Sequence, residues 1–556
     1  MEPREDNRQS LMNLLDRTTL RGSRRFLASI LGSVPSSDVA QLRRRQDGLK
    51  ELEKLGLGGS DPEEDRLKEL EPDVLWFFHQ ERDDTLKLLT DSVYYGSWPL
   101  SILNTRSPLA LTGLHAYNAW APWLSALSPI VYLVIPFLVM RWKGFIKMGF
   151  LRYLWTMAKS TVHEALCIGK EGVTMFARAG SALRGVSALA STGVFFYSIV
   201  SSFELSRAFE KIGGTVGKRI DGAFEYLELA RERRERFGGA LAAWEPFLSG
   251  PVGPEQKLHQ NSKNSQNTKD FLRRGRQLVD AKRFDHASAT NELAASYALD
   301  ALVSILKSRR ELGFCWAEFS DEERPSIDLR GVIHPFLSTP VMNDWSLGAA
   351  HEAPNVLLTG PNAGGKSTLM KSVLASVILS QTVTIAPCES VKLTPFSTIA
   401  SHLSAVDRAG SASTFETEMM RAQKVLQQVG YGKGRSLVVL DEIFNSTNPI
   451  EGIAAATSVA RHLARNENAM SIISTHYVHL GKLAGDRYAR FQMPVVKNDD
   501  IIAYPYKLRR GVCRQLIALD LMKRAGFDAS VVDEALEVVR ELTMTRTDKS
   551  PSKIME

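Results

Sequence analysis

Apolar residues in the second half of this chain fall into short blocks. Val356-Leu357-Leu358 runs into Thr359 and Gly360, Leu437-Val438-Val439-Leu440 stops at Asp441, and Ser471-Ile472-Ile473-Ser474 stops at Thr475. Blocks this short, with no polar alternation, predict strands covered on both faces. After the first block, Leu369, Val373 and Val377 recur at helical spacing, and between the first two blocks Met419, Ala422 and Val425 share one side of a second helix. Strand followed by helix predicts an α/β domain here. The first half reads differently. Leu205, Phe209, Ile212, Val216, Ile220, Phe224 and Leu227 recur every three or four positions and predict a long amphipathic helix, weakened locally by Gly213, Gly214, Gly217 and Gly222. A second long helix is predicted over roughly 270–310, with Leu293, Tyr297, Leu302 and Ile305 on its apolar side. Between them, 249–269 is rich in Pro, Gly, Asn, Gln, Ser and Lys and reads as a flexible loop.

One segment departs from ordinary globular patterning. Between Arg106 and Arg141 there is no Lys, Arg, Asp or Glu, and 119–140 is long enough to span a bilayer as a helix. A second uncharged run, 185–203, is diluted by serines and glycines. Prolines at 122, 129 and 136 disfavour an ordinary soluble helix and are better tolerated in membranes. The competing reading is a buried helical hairpin. The segment from 141 to 184 holds eight Lys/Arg against two acids, which the positive-inside rule would keep cytoplasmic. A simple two-span hairpin puts that loop on the wrong side, so membrane association requires an interfacial or re-entrant arrangement, or a third span within 144–183.

Composition narrows the class only a little. With 556 residues and 44% apolar content the chain has material for two to four folded domains. A net charge of +7 spread over that length is compatible with a polyanion but identifies no partner. The cysteines Cys167, Cys315, Cys388 and Cys513 show no metal-ligand spacing and read as core thiols in a reducing compartment. The charged N-terminus leads to no apolar stretch of signal-peptide type, so secretion is not expected.

Chemistry enters at Gly360. The run Gly360-Pro361-Asn362-Ala363-Gly364-Gly365-Lys366-Ser367-Thr368, set between a strand and a helix, is a phosphate-binding P-loop. Its glycines let backbone N–H groups close around phosphates, Lys366 reaches the β and γ oxygens, and the Ser367 hydroxyl helps hold Mg²⁺. Phosphoryl transfer to water also needs an acidic strand end. Asp441 ends an apolar strand and can hold the metal, and Glu442 can orient or deprotonate water. His476, after the third strand, can donate one hydrogen bond to a γ-phosphate or can simply be a strand-end histidine. Ser413 and Thr414 open the predicted helix, where they can cap it or form an anion site.

In this order, Gly-Pro-Asn-x-Gly-Gly-Lys-Ser-Thr, Ser-Thr-Phe-x-x-Glu-Met, Leu-Asp-Glu and Ser-Thr-His-Tyr resemble the ATPase domain of the MutS family. The segments 504–513 and 523–535 are similar to that family's closing region, and Arg330 to Pro335 to its entry into the ATPase domain. The resemblance implies an α/β P-loop ABC-type ATPase domain over 320–542, with ATP and Mg²⁺ as cofactors. It also implies a dimer with a second copy or a related MutS-like subunit, in which Ser413 and Thr414 act on the opposite nucleotide. Two positions depart from the pattern. Ala363 stands where the family usually carries methionine, and Ile443 to Gly452 replaces the usual Leu-Gly-Arg-Gly-Thr-Ser-Thr, a loop that faces the other subunit in relatives.

Residues 11–52 resemble the start of the family's all-α core. The division implied is helical core over 1–105, a strongly apolar helical insertion over 106–204, lever arms and return to the core over 205–319, and a disordered tail over 543–556. Arg231 to Arg236 can touch phosphates or form a solvated helix face, and the loop 249–269 stands where relatives carry a DNA clamp. About ten residues precede the core, so a mismatch-reading wedge is not expected and mismatch recognition by this chain alone is not expected. The function expected is an intracellular MutS-like ATPase acting on DNA. The alternative is a membrane-tethered mechanical ATPase, held through 106–203 with its ATPase domain in the cytoplasm, that never touches DNA.

Overall fold

The computed structural model describes residues 10–59, 61–80, 108–166, 175–244, 273, 277, 279–281, 284–348, 353–403, 414–431, 434–477, 480, 485–498, 501–513, 515 and 517–544. The chain divides into two compact units, one of residues 1–62, 233–249 and 294–556, the other of 63–232 and 250–293.

In the first unit the predicted strands align. β4 (Asn355–Thr359), β8 (Ser436–Asp441), β9 (Ala469–Thr475), β10 (Tyr488–Gln492), β7 (Thr398–His402) and β11 (Arg509–Arg510) make a sheet in the order β11-β10-β4-β9-β8-β7, parallel from β10 to β7. Neighbouring residues on a strand face opposite sides, so each apolar block splits between two layers. Val356, Leu358, Leu437, Val439 and Ile472 pack with Leu369, Val373 and Val377 of the helix Lys366–Val383. Leu357, Val438, Leu440 and Ile473 pack on the other side with Val425 and Val429 of the helix Thr414–Tyr431 and Ala456, Ala460 and Leu463 of the helix Pro449–Arg465. A second, mixed sheet has the order β3-β2-β6-β1-β5, from β1 (Cys315–Phe319), β2 (Ile327–Val332), β3 (Asn343–Leu347), β5 (Ile385–Ala386) and β6 (Ser390–Leu393). The cysteine spacing in sequence conceals one pairing there: Cys315 and Cys388 bring their Sγ atoms to 3.4 Å as free thiols.

The helical start belongs to this same unit. Helices Leu11–Leu15, Ser23–Gly32 and Val39–Lys54 pack on the later part of the helix His286–Leu312 through Leu15, Leu27, Leu49, Leu52, Leu302 and Leu306. Buried Asp300 accepts from the Thr19 and Leu20 amides at 3.0 and 2.9 Å, which fixes the turn between the first two helices. Gln46 donates to the Ala317 carbonyl of the strand Cys315–Phe319 at 2.6 Å and Gln381 of the helix Lys366–Val383 to the Ser36 carbonyl at 2.9 Å, so the helical start is bonded directly to the α/β part. Within the basic run, Arg233 is buried and paired with Asp61 at 2.7 Å, a structural role that leaves its charge satisfied by protein.

The second unit is helical. It holds Pro62–Gln80, Pro108–Trp142, Phe150–Leu166 and the greater part of the 68-residue helix Met175–Ala242, which contains the predicted 205–227 stretch. Asp73 pairs with Arg219, and Arg66 with Glu225 at 2.6 Å. The expectation of membrane spans within 106–203 is corrected here: among the described residues no helix is long and apolar enough to cross a membrane. Helix 108–142 uses part of its apolar surface on protein. Leu111 is buried with Val216 and Val279, and the Phe137 ring meets those of Phe150 and Tyr153 at 5.1 and 5.3 Å. Trp120, Trp123 and Leu138 remain exposed. The three prolines lie two turns apart, so their missing N–H groups fall along one side and the helix runs on through them. The run 185–203 is part of a helix that carries charged residues from Glu204 onward. The third span sought within 144–183 falls on Phe150–Leu166, which exposes Arg152 and Lys159, and on residues 167–174, which lie outside the described residues. The loop 249–269 and the tail beyond Met544 also lie outside them.

Candidate nucleotide-binding site

Strands β4, β8 and β9 are neighbours in the sheet, and their registered pairs Thr359–Thr475 and Asp441–Ser474 bring their carboxyl ends level. That is where open α/β sheets bind ligands. Gly360 to Gly365 leave β4 and turn into the helix beginning at Lys366, with Gly365 at φ 92 as the residue before it. A Cβ on Gly365 would come within 3.0 Å of the Tyr506 ring, so both the backbone angle and the space require glycine. Ala363 also lies at positive φ, 61, and is exposed. The methionine-to-alanine departure therefore falls at an exposed position of the loop.

Three predicted residues converge. Lys366 is only 4% exposed, and its Nζ donates to the carbonyls of Gly360 at 2.9 Å and Pro361 at 3.2 Å and lies 3.2 Å from Oε1 of Glu442. His476 Nε2 meets the same Glu442 oxygen at 2.6 Å. Asn445 Nδ2 reaches the other at 3.4 Å. Beneath them Asp441 is buried and accepts from the Ser474 hydroxyl, whose Oγ also accepts from the Glu442 amide at 3.1 Å. Glu442 is thus held between two cationic or donor groups. Its carboxyl is pulled down to about 2, first by the hydrogen bond from His476 and then by the charges of His476 and Lys366, against a burial effect that works upward.

This shift has a sign that can be checked. Because the folded value lies below the ordinary carboxyl value near 4.3, Glu442 contributes stability above that pH and loses it as the pH falls through about 2. In thermal melts from pH 7 to pH 2, the gap in Tm between the native chain and a Glu442→Gln variant is expected to hold down to about pH 4.5 and then close. A gap that does not change across that range would mean the carboxylate is not paired at rest.

Beside the P-loop lies a cavity of about 480 Å³. Val332, Leu337 and Val341 form an apolar wall, and Met493, Asn343 and Tyr506 complete it. Asn343 is fixed by donating to the Tyr506 carbonyl at 3.0 Å and accepting from the Leu508 amide at 2.8 Å. Tyr506, at φ 53, stacks on Tyr504 with ring centroids 6.1 Å apart. These wall residues were not assigned a role from sequence; the nearest signal is the aromatic pair around Pro505. An apolar slot with a few fixed polar groups, continuous with a phosphate loop, fits a base and sugar.

Of the remaining predicted residues, Ser367 and Thr368 line the cavity in the first turn of the helix. Thr414 is the first residue of the helix 414–431. Ser413 lies outside the described residues. Among the described residues no group of three or more His, Cys, Asp and Glu could hold a metal alone. One carboxylate and one hydroxyl, Asp441 and Ser367, suit a hard cation that completes its shell with phosphate and water, as Mg²⁺ does.

Fold and site together define a P-loop nucleotide-binding protein. Residues 356–543 match the family model described as MutS domain V. Over 266 residues the chain is 31% identical to the DNA mismatch repair protein MutS of Synechococcus sp. (strain CC9902), covering 46% of this chain and 29% of that one. It is 31% identical over 263 residues to DNA mismatch repair protein MutS of Microcystis aeruginosa, covering 44% and 29%, and 31% identical over 278 residues to DNA mismatch repair protein MSH7 of Arabidopsis thaliana, covering 45% and 25%. Through this C-terminal part, with a MutS domain V over 356–543, the chain is similar to the MutS family. It spans less than a third of the length of these curated relatives.

Proposed function

We propose that the chain is a MutS-like, Mg²⁺-dependent ATPase that hydrolyses ATP to ADP and phosphate, closes as a dimer on the nucleotide, and works on DNA inside the cell. What carries the reading is the meeting of Lys366, Glu442 and His476 at level strand ends, beside a cavity that fits a base. Backbone amides of Gly364 to Thr368 and the Lys366 ammonium hold the β and γ oxygens. Ser367 and Asp441 would hold Mg²⁺, which when bound would neutralise phosphate charge. Lys366 moves from Glu442 to the phosphates when ATP enters, which raises the basicity of Glu442 and lets it take a proton from the attacking water. His476, in hydrogen-bond reach of the same carboxylate, holds it at rest and turns its N–H to the γ-phosphate once ATP is bound. Ser413 and Thr414 act on the nucleotide of the second subunit, with helical core and lever segments over 1–105 and 205–319 carrying the closure to DNA.

DNA enters from the relatives' names, which describe DNA mismatch repair proteins. Contact through phosphates predicts stimulation of ATP turnover by duplex, single-stranded or junction DNA that fades steeply between about 50 and 200 mM salt. Phosphate release measured with each DNA at both salts, with Lys366→Ala as the blank, tests it. Turnover that no DNA alters at either salt would remove DNA as the direct effector.

A further inference from the structure

The backbone after β8 takes a costly path. Glu442 and Phe444, neither of them glycine, lie at φ 50 and φ 61, the left-handed region that L side chains avoid. Such residues persist only where their surroundings hold them. The end of β9 does the holding. The Glu442 amide donates to Ser474, and its carboxylate meets His476. One residue further on, the Tyr477 hydroxyl donates to the Phe444 carbonyl at 3.0 Å, while the Tyr477 amide donates to Thr475 Oγ1 at 3.0 Å. The buried Phe444 ring meets Phe415 edge-on at 6.1 Å.

Gly452 adds an independent observation. It lies in the first turn of the helix 449–465, and a Cβ there would stand 2.6 Å from the Phe444 carbonyl oxygen and 2.7 Å from the Tyr477 hydroxyl. Only glycine lets these three groups approach so closely. The phenol and the glycine therefore act on one point, two residues beyond the proposed base, and neither of them touches the nucleotide cavity.

We propose that Tyr477 is a positioning residue: its hydroxyl, closed in by Gly452, pins the Phe444 carbonyl and so keeps the 442–444 turn in the left-handed form that aims Glu442 at the nucleotide. The inference rests on the ATPase reading. Tyr477→Phe removes a single hydroxyl and keeps the ring. It is expected to lower kcat for ATP about tenfold, the effect of one neutral hydrogen bond on the reacting geometry, with KM within about twofold. Gly452→Ala, which wedges the same contact from the other side, is expected to give the same split between kcat and KM.

A readout that needs no turnover separates this inference from the ATPase reading. Without nucleotide, Tyr477→Phe should speed hydrogen exchange of the backbone over 441–447, and Gly452→Ala should do the same. A Tyr477→Phe variant with native kcat and unchanged exchange there overturns the proposal, as does a loss of kcat matched by an equal loss of nucleotide affinity. Faster exchange in a protein whose native form does not hydrolyse ATP supports the positioning role and overturns the ATPase reading alone.

Discussion

Lys366→Ala is expected to weaken ATP binding by at least 10²–10³-fold, on the order of 3–4 kcal/mol, and to abolish turnover. Burial makes the effect large. At 4% exposure the ammonium is excluded from water and already satisfied by two carbonyls and Glu442, so it is poised at the mouth of the P-loop with no solvent to displace. At rest the ammonium faces one carboxylate and two neutral carbonyls, whereas ATP offers it several charged phosphate oxygens, and the alanine variant leaves that anionic charge without its buried counter-cation. The substitution also strips Glu442 of one of its two positive neighbours, which lets the carboxyl rise from about 2 towards the ordinary range. Equilibrium binding of a fluorescent ATP analogue, with thermal melts to confirm the fold, is the check. Unchanged affinity in a folded variant would move the nucleotide away from this loop.

How much of this site was legible in the sequence depends on how each part is encoded. The P-loop, Asp441-Glu442 and His476 are contiguous signals, each a strand end followed by chemistry, and their convergence follows from the order of parallel strands. The base-sized cavity is not encoded that way. Its walls come from Val332 to Asn343 and from Met493 to Tyr506, well over a hundred residues apart, and apolar residues there look like any core. The resting contact of Glu442 with Lys366 depends on a left-handed turn at Glu442 and Phe444 that no glycine or asparagine announces at those positions. Cys315 and Cys388 illustrate the same limit, since register between β1 and β5, not spacing, places them together.

The apolar insertion shows a different limit. Hydropathy measures whether a stretch avoids water, and burial against protein satisfies that as well as lipid does. Leu111 in a cluster with Val216 and Val279, and Phe137 against Phe150 and Tyr153, are such protein contacts, while Trp120, Trp123, Leu127, Ile135 and Leu138 stay exposed on the same helix. The prolines at 122, 129 and 136 stand two turns apart, a spacing that lets one helix carry all three.

Glu442→Gln separates binding from chemistry. Removing the proposed base is expected to lower kcat by about 10²–10⁴-fold, the usual contribution of a positioned general base. Binding should move the other way. In the native chain ATP must draw Lys366 from its 3.2 Å pairing with the Glu442 carboxylate, and a neutral amide at that position gives up the lysine at less cost. Nucleotide affinity is therefore expected to hold or rise, and ATP-bound dimers, which the native enzyme consumes by hydrolysis, to accumulate. Light scattering with ATP and Mg²⁺ should then report a larger mass for the variant than for the native chain under the same conditions. Phosphate release at the native rate would mean that another group activates the water, and would leave the pairing of Glu442 with Lys366 and His476 as a purely structural brace. Slow release without accumulation of dimer would keep Glu442 as the base and break the link between the nucleotide and subunit closure.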